Sequence, residues 1–466
     1  MKKVGILSFS DGRKRVHDGL KDYIKQCELK LFGALKEADD IDIFVAREII
    51  WNAEVLRSCC DDLRQYNVDA LVFNIPVFAF PNLVLLAAKQ LNKPILVFSP
   101  ENGKLPGLGG MLAAANMLEQ NGIRCKRVWG NIESGESFNS ILNFLRAAHV
   151  SNTLNGQIFG LIGGRSIGMG TGTVSPELWM QYFGVDVDHV DQSEILRQAP
   201  MVEEKKAEAA FEWLKKMTGA IYFDSDKLTE KSLKDQVRHY YAIKEIISEH
   251  KFDFVGVKCH YELSEYSNTQ CLAAAFMNDP YDWDGAKKPV VYSCEADADG
   301  AMTMQILHLM TGLPVLFMDF RHFDRLNNVF VFCNCGAMAT WYANRSNNPA
   351  ENLKDVSLYP VIPKYGGCGA HVQYMAKEGI YTLARLSRIR NTYKMIIMQG
   401  EAVEFPKEKM EETCIQWPHC FIRVRENPHE IIKRYNSNHI HAVYGDYTDA
   451  LKEFCELKGI EYEVIV

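Results

Sequence analysis

The 466-residue chain has no run of about 18 uncharged apolar residues, the length a membrane helix needs, so a membrane span is not expected. It also has no Lys/Arg block, and its formal net charge is −7, which argues against a nucleic-acid partner whose phosphates would need neutralising. Paired two-residue cysteine spacings of the zinc-knuckle type are missing too. Cys59-Cys60 and Cys333-Asn334-Cys335 are the nearest approaches, and without a matching second pair they read as structural. Phosphate-loop spacings are absent as well. Gly107-Leu108-Gly109-Gly110 follows neither the dinucleotide nor the Walker pattern and reads as a turn into a helix. Met1-Lys2-Lys3 runs directly into a short apolar segment at 4–9, which reads as a first strand and not a signal peptide. The 13 cysteines, an odd number scattered through predicted strands and helices, then read as reduced thiols of a cytoplasmic protein.

What is present is a soluble, globular composition, 47% hydrophobic and 24% charged, in a chain long enough for about three domains. Over the first 150 residues, apolar runs at 4–9, 41–45, 70–75 and 94–98 alternate with helical patterns, which predicts a parallel sheet covered by helices. A second α/β unit begins at residue 157, with long helices predicted over 194–217 and 227–250 and buried strands at 254–257, 290–293 and 315–318. From about residue 350, short evenly spaced apolar runs predict a β-barrel or sandwich. The expected architecture is α/β: two parallel-sheet, Rossmann-like domains at 1–152 and 153–350, followed by a β-rich, barrel-like domain at 351–466.

The chemistry concentrates where strands end in acids. Val290 to Ser293 runs into Glu295, Asp297 and Asp299, and Val315 to Met318 runs into Asp319, with one helix pattern between. Ligands of open parallel sheets bind beyond the carboxyl ends of the strands. If that helix is a single right-handed crossover, the two strands are neighbours about 4.8 Å apart, and Glu295 and Asp319 repel unless they share a proton or a cation. The competing reading is a pair of solvated strand-end acids. Asp297 and Asp299, beside Gly300, read as turn and helix-capping residues. Near the C-terminus a strand starts at Asn438-His439-Ile440-His441. Two carboxylates with an imidazole form a hard donor set, suited to Mn²⁺ or Mg²⁺ more than to structural zinc.

Residues 294–307, Cys-Glu-Ala-Asp-Ala-Asp-Gly-Ala-Met-Thr-Met-Gln-Ile-Leu, followed by Leu316-Phe317-Met318-Asp319-Phe320-Arg321-His322, closely resemble the signature of the L-fucose isomerase family. Asp11-Gly12-Arg13, Ser166-Ile167-Gly168-Met169-Gly170, Gln416-Trp417-Pro418 and Asn438-His439 extend the likeness along the chain in the family's order. The resemblance implies a metal-dependent conversion of an aldose to its ketose through a cis-enediol. Mn²⁺, with Mg²⁺ or Co²⁺ as alternatives, would be held by Glu295, Asp319 and His439, and the two carboxylates would move the proton between C1 and C2. It further implies substrate contacts from Arg13, Met169, His260, Trp417 and Asn438, with weaker candidates at Lys258 and Tyr365. A homo-oligomer, hexamer or trimer, with shared active sites is also implied, Arg13 serving a neighbouring copy. Trp417 reads either as a sugar-stacking wall or as a core aromatic, and Arg13 either as a sugar contact or as a solvated strand-end residue. The substrate expected is a free sugar of the L-fucose/D-arabinose type or a related modified sugar. A non-catalytic sugar-binding protein, an epimerase and a metal-dependent hydrolase are the alternatives.

Overall fold

The computed structural model describes residues 2–38 and 40–465 and divides into two compact units. The first comprises residues 1–153 with 449–459. Its five-stranded parallel sheet has the order Ile41–Val45, Lys2–Ser8, Ala70–Asn74, Ile95–Ser99, Cys125–Trp129. Because successive side chains of a strand point to opposite faces, each strand feeds two cores. Leu71, Phe73 and Val97 pack with Leu56, Leu83 and Ala114 on one face. Ala70, Val72 and Leu96 pack with Leu31, Phe144 and Leu145 on the other. This two-sided burial is why the strands read as continuous apolar runs. The helix Thr448–Lys458 contributes to the same unit, its Glu453 paired with Lys126 and its Leu457 packed on the second core.

The second unit holds residues 154–448 and 460–466. A four-stranded parallel sheet runs in the order Tyr292–Ser293, Phe254–Val257, Ile158–Ile162, Asp186–Val190. A seven-stranded sheet follows the order Gly379–Ile389, His439–Tyr444, Leu316–Asp324, Val329–Cys333, His419–Arg423, Thr392–Ala402, Glu461–Ile465. The first of these strands also pairs with Thr392–Ala402 along its whole length, from Gly379↔Ala402 to Ile389↔Thr392, so all but the last strand close into a barrel. Closure removes the open edges that long strands would otherwise expose. The expected α/β architecture with a β-rich C-terminal part is present.

Two local expectations are corrected. The helix predicted over 194–217 is broken into Ser193–Gln198 and Glu204–Met217 by a tight turn over Ala199–Met201, because Pro200 cannot supply the backbone N–H that a continuous helix needs. The strand expected to end at Met318 runs on to Asp324 and belongs to the barrel, so it is not a parallel neighbour of Tyr292–Ser293. Its outer half, with Arg321 and His322 exposed, is the half-wet pattern of an antiparallel strand. The helix Ala298–Thr311 thus links two different sheets. It docks on the barrel through Thr303, whose Oγ1 accepts from Leu386 N (3.0 Å) and donates to Asp299 O (2.7 Å).

Candidate active site

His260 and Glu295 follow the carboxyl ends of two paired parallel strands, where Tyr292 faces Val255 and Ser293 faces Gly256. The chain then turns sharply. Glu295 (φ 59°) and Ala296 (φ 55°) both adopt the left-handed region, which costs a non-glycine residue about 1–3 kcal/mol and persists only where surroundings enforce it. The turn is locked by Asp297, whose carboxylate caps the following helix by accepting from Gly300 N (2.9 Å).

Asp319 and His439 come from the barrel and stand directly opposite one another on neighbouring antiparallel strands. A bulge between Phe320 and His322 follows immediately. The structure therefore brings Glu295, Asp319 and His439 together. His439 Nε2 lies 3.6 Å from Glu295 Oε2 and 3.2 Å from Asp319 Oδ1. Asn334 Nδ2 donates to the other Asp319 oxygen at 3.4 Å. Phe317 stacks obliquely on His439, ring centres 4.5 Å apart.

Behind His439 lies a fully buried charge network. His439 Nδ1 is 2.7 Å from Asp297 Oδ2, and Arg385 donates to both Asp297 oxygens, at 2.6 and 3.1 Å. Asp297 and Arg385 have no exposed side-chain surface. Burial opposes the Asp297 charge, but Arg385 and His439 outweigh it and hold the carboxyl well below the usual range. Arg385 also donates to His441 Nε2 at 3.1 Å, which fixes His441 as a neutral acceptor, its pKa pushed far down by burial and by the adjacent guanidinium. Gly300 is required for this approach, because a Cβ there would stand 2.7 Å from Asp297 Oδ2 and 2.9 Å from His441 Nε2. Asp299 is buried beside the network, and desolvation pushes its pKa up to about 7.

With Nδ1 committed to Asp297, the Nε2 of His439 faces the two acids, buried and without a hydrogen bond among the described residues. Burial disfavours the imidazolium, yet Asp297 and Asp319 hold the His439 pKa up to about 10. A carboxylate-oriented imidazole beside two further carboxylates is a donor set that fits a hard divalent metal.

The remaining expected contacts divide. His260 joins the site, with Nε2 at 3.2 Å from Glu295 Oε1 and 3.3 Å from Tyr365 OH, its ring stacked on Tyr365. Burial opposes its protonation, while Cys259, Cys335 and Glu295 raise its pKa to about 11. Met169 sits on a loop tied to this region by Ser166, whose hydroxyl donates to His260 O at 2.9 Å. Lys258 is instead engaged with Glu262 at 2.8 Å. Asn438 is exposed, and its carbonyl accepts from Phe320 N. Trp417 is only 8% exposed and its buried Nε1 has no hydrogen-bond partner among the described residues. Its ring is approached by Arg321 at 5.8 Å and Lys364 at 5.6 Å. Arg13 lies in the first unit, its exposed guanidinium held by Asp11. Sequence reasoning missed Arg385, and it read Cys333-Asn334-Cys335 as structural, whereas Asn334 reaches Asp319 and Cys335 joins a nest of thiols from Cys259, Cys271 and Cys294. These partners lie far apart in the chain, and only folding gathers them.

Comparison with known proteins places the chain among sugar aldose–ketose isomerases. Residues 1–156 match the first N-terminal domain of L-fucose isomerase, residues 158–252 the second N-terminal domain, and residues 332–465 the C-terminal domain. The chain belongs to the L-fucose isomerase family. Glu295 and Asp319 fall between the second and third matched segments, and His439 falls within the third. Sulfoquinovose isomerase from Priestia aryabhattai is 22% identical over 91% of this chain and 92% of its own. L-fucose isomerase from Haemophilus influenzae (strain PittEE) is 19% identical over 95% of this chain and 89% of its own. A solved periplasmic solute-binding protein of an ABC transporter from Actinobacillus succinogenes, with bound D-allose, covers 67% of this chain and 93% of its own at 13% identity, but its TM-score of 0.18 carries no structural argument. The family groups the chain with isomerases and not with non-catalytic sugar-binding proteins. Among the described residues, no helix is long and apolar enough to cross a membrane.

Proposed function

We propose that this isomerase is metal-dependent and acts on a free sugar of the L-fucose/D-arabinose type through a cis-enediol intermediate. The observation that carries the reading is His439, oriented through Nδ1 by a buried Asp297 and presenting an unpartnered Nε2 to Glu295 and Asp319. Those three residues would hold Mn²⁺, or Mg²⁺ or Co²⁺ in its place. When bound, the ion polarises the sugar carbonyl and offsets the negative charge that develops on its oxygen.

The protein's own groups do the rest. One of the two carboxylates takes the proton from C2 of the aldose to leave the enediolate, the O2 hydroxyl proton passes to O1, and the pair returns a proton to C1, giving the ketose with no change in atoms overall. The Phe317 ring beside His439 limits water on that side, and Asn334 steadies Asp319. Tyr365 and His260 provide polar atoms next to Glu295 for sugar hydroxyls. Trp417 serves as a wall, and Met169 and Asn438 complete the substrate contacts. Arg13 would act in the site of a neighbouring copy within a homo-hexamer or trimer.

A second reading of the substrate, a sugar carrying an anionic group, is favoured by Arg321 and Lys364 beside Trp417. The Priestia relative's name, which specifies a sulfonated sugar, points the same way. The test is ketose formation from L-fucose, D-arabinose and sulfoquinovose by the chelator-stripped chain, with and without added Mn²⁺. Turnover restored by Mn²⁺ supports the metal-dependent reading, and the preferred sugar decides the substrate. Undiminished turnover after stripping removes the metal, epimerised aldose in place of ketose removes proton delivery to C1, and inertness toward all three sugars removes the substrate assignment.

A further inference from the structure

Glu295 uses its two oxygens on two different histidines. Oε2 faces His439, whereas Oε1 is 3.2 Å from His260 Nε2. Cys335 stands close by. Ligand atoms of His260, Glu295 and Cys335 all lie within 4.8 Å of one another. Donors around a tetrahedral zinc, with bonds of about 2.0–2.3 Å, stand roughly 3.3–3.8 Å apart, so the three are close to a coordination sphere before any ion draws them in.

The orientation of His260 is set from behind. Ser264 Oγ lies 3.0 Å from His260 Nδ1 and 3.2 Å from Tyr261 O. Nδ1 is thus engaged behind the ring while Nε2 lies 3.2 Å from Glu295 Oε1, the support from the far ring nitrogen that metal-binding histidines commonly have. Neighbouring thiols line the place: Cys271 Sγ donates to Cys335 O at 2.8 Å, Cys294 Sγ meets Cys259 Sγ at 3.7 Å, and both Cys271 and Cys294 hydrogen-bond to the Cys335 side chain.

We propose that Cys335, His260 and Glu295 Oε1 form a second cation site, selective for a thiophilic divalent ion such as zinc, with Glu295 bridging it to the Asp319–His439 site. One thiolate, one imidazole and one carboxylate oxygen leave a fourth position open, and a sulfur ligand selects against Mn²⁺ and Mg²⁺. Binding releases the Cys335 thiol proton and any proton on His260 Nε2. The site shares Glu295 with the isomerase reading but does not depend on turnover.

The experiment titrates the chelator-stripped, full-length chain with Co²⁺, which occupies both hard and soft sites and absorbs strongly in the near ultraviolet when bound to thiolate. The expected result is two Co²⁺ per chain with the thiolate band. Cys335→Ser should bind one Co²⁺ and lose the band, while Asp319→Asn should bind one and keep it. A wild-type chain that binds Co²⁺ without the band, or a band that survives Cys335→Ser, overturns the proposal. One Co²⁺ with the band in the wild type supports the thiol site and counts instead against a metal at Asp319 and His439. Should Cys335→Ser fail to fold, X-ray absorption of the zinc-loaded wild type decides. A sulfur neighbour at about 2.3 Å together with nitrogen or oxygen supports the site, and a shell of nitrogen and oxygen alone overturns it.

Discussion

Two sheets of the second unit hold their shares of the site by opposite means. At the end of the parallel sheet, Glu295 depends on a strained turn, two successive left-handed residues stapled by the Asp297 cap. In the barrel, Asp319 and His439 sit at facing positions of a regular ladder, and His439 is fixed further by Asp297 and Arg385. A ladder position is costly to move because neighbouring strand hydrogen bonds must break with it, whereas a turn can shift its one side chain locally. The barrel is therefore the fixed half of the site and the strand end the adjustable half. Asp297 serves both, capping the helix with one oxygen and orienting His439 with the other.

Substitutions can break or sharpen this contrast. Glu295→Gln keeps the shape but removes both a charge and a base, and should lower ketose formation at least about 1000-fold while the circular dichroism spectrum is unchanged. Retained activity would remove Glu295 from the chemistry. Arg385→Leu leaves Asp297 buried with half its partners, which should cost about 3–5 kcal/mol of stability, read by urea denaturation. Loss of activity with stability intact would show the network to be local to the site. Asp297→Asn leaves the cap but weakens the orientation of His439, and should reduce metal affinity or kcat about 10–100-fold, measured by Mn²⁺ titration of activity. The smallest effect is expected from Ala296→Gly, which relieves one left-handed residue. Thermal stability should change by no more than about 1 kcal/mol, with a larger change in kcat than in Tm if the turn is the adjustable half.

Much of this was legible from residue order. The apolar runs of the first unit marked its parallel strands because both faces are buried, and the acids after 290–293 and 315–318 marked the residues that meet. The relation between those two acids was misread. A short apolar run followed by polar residues looks the same whether a strand stops or merely emerges from the core, and Leu316–Asp324 does the latter. Asp297, read as a cap, proved to be one, but its second role depends on Arg385 and His439, which are 88 and 142 residues away.

Local sequence by itself determined the alternation of strands and helices and the cap at Asp297, because these follow from side-chain periodicity and from chemistry within a few residues. Barrel closure, the facing of Asp319 and His439, the burial of Arg385 against Asp297 and the meeting of Cys335 with His260 were decided only by the tertiary structure. Each joins segments far apart in the chain, and no periodicity encodes which distant strand a given strand will pair with.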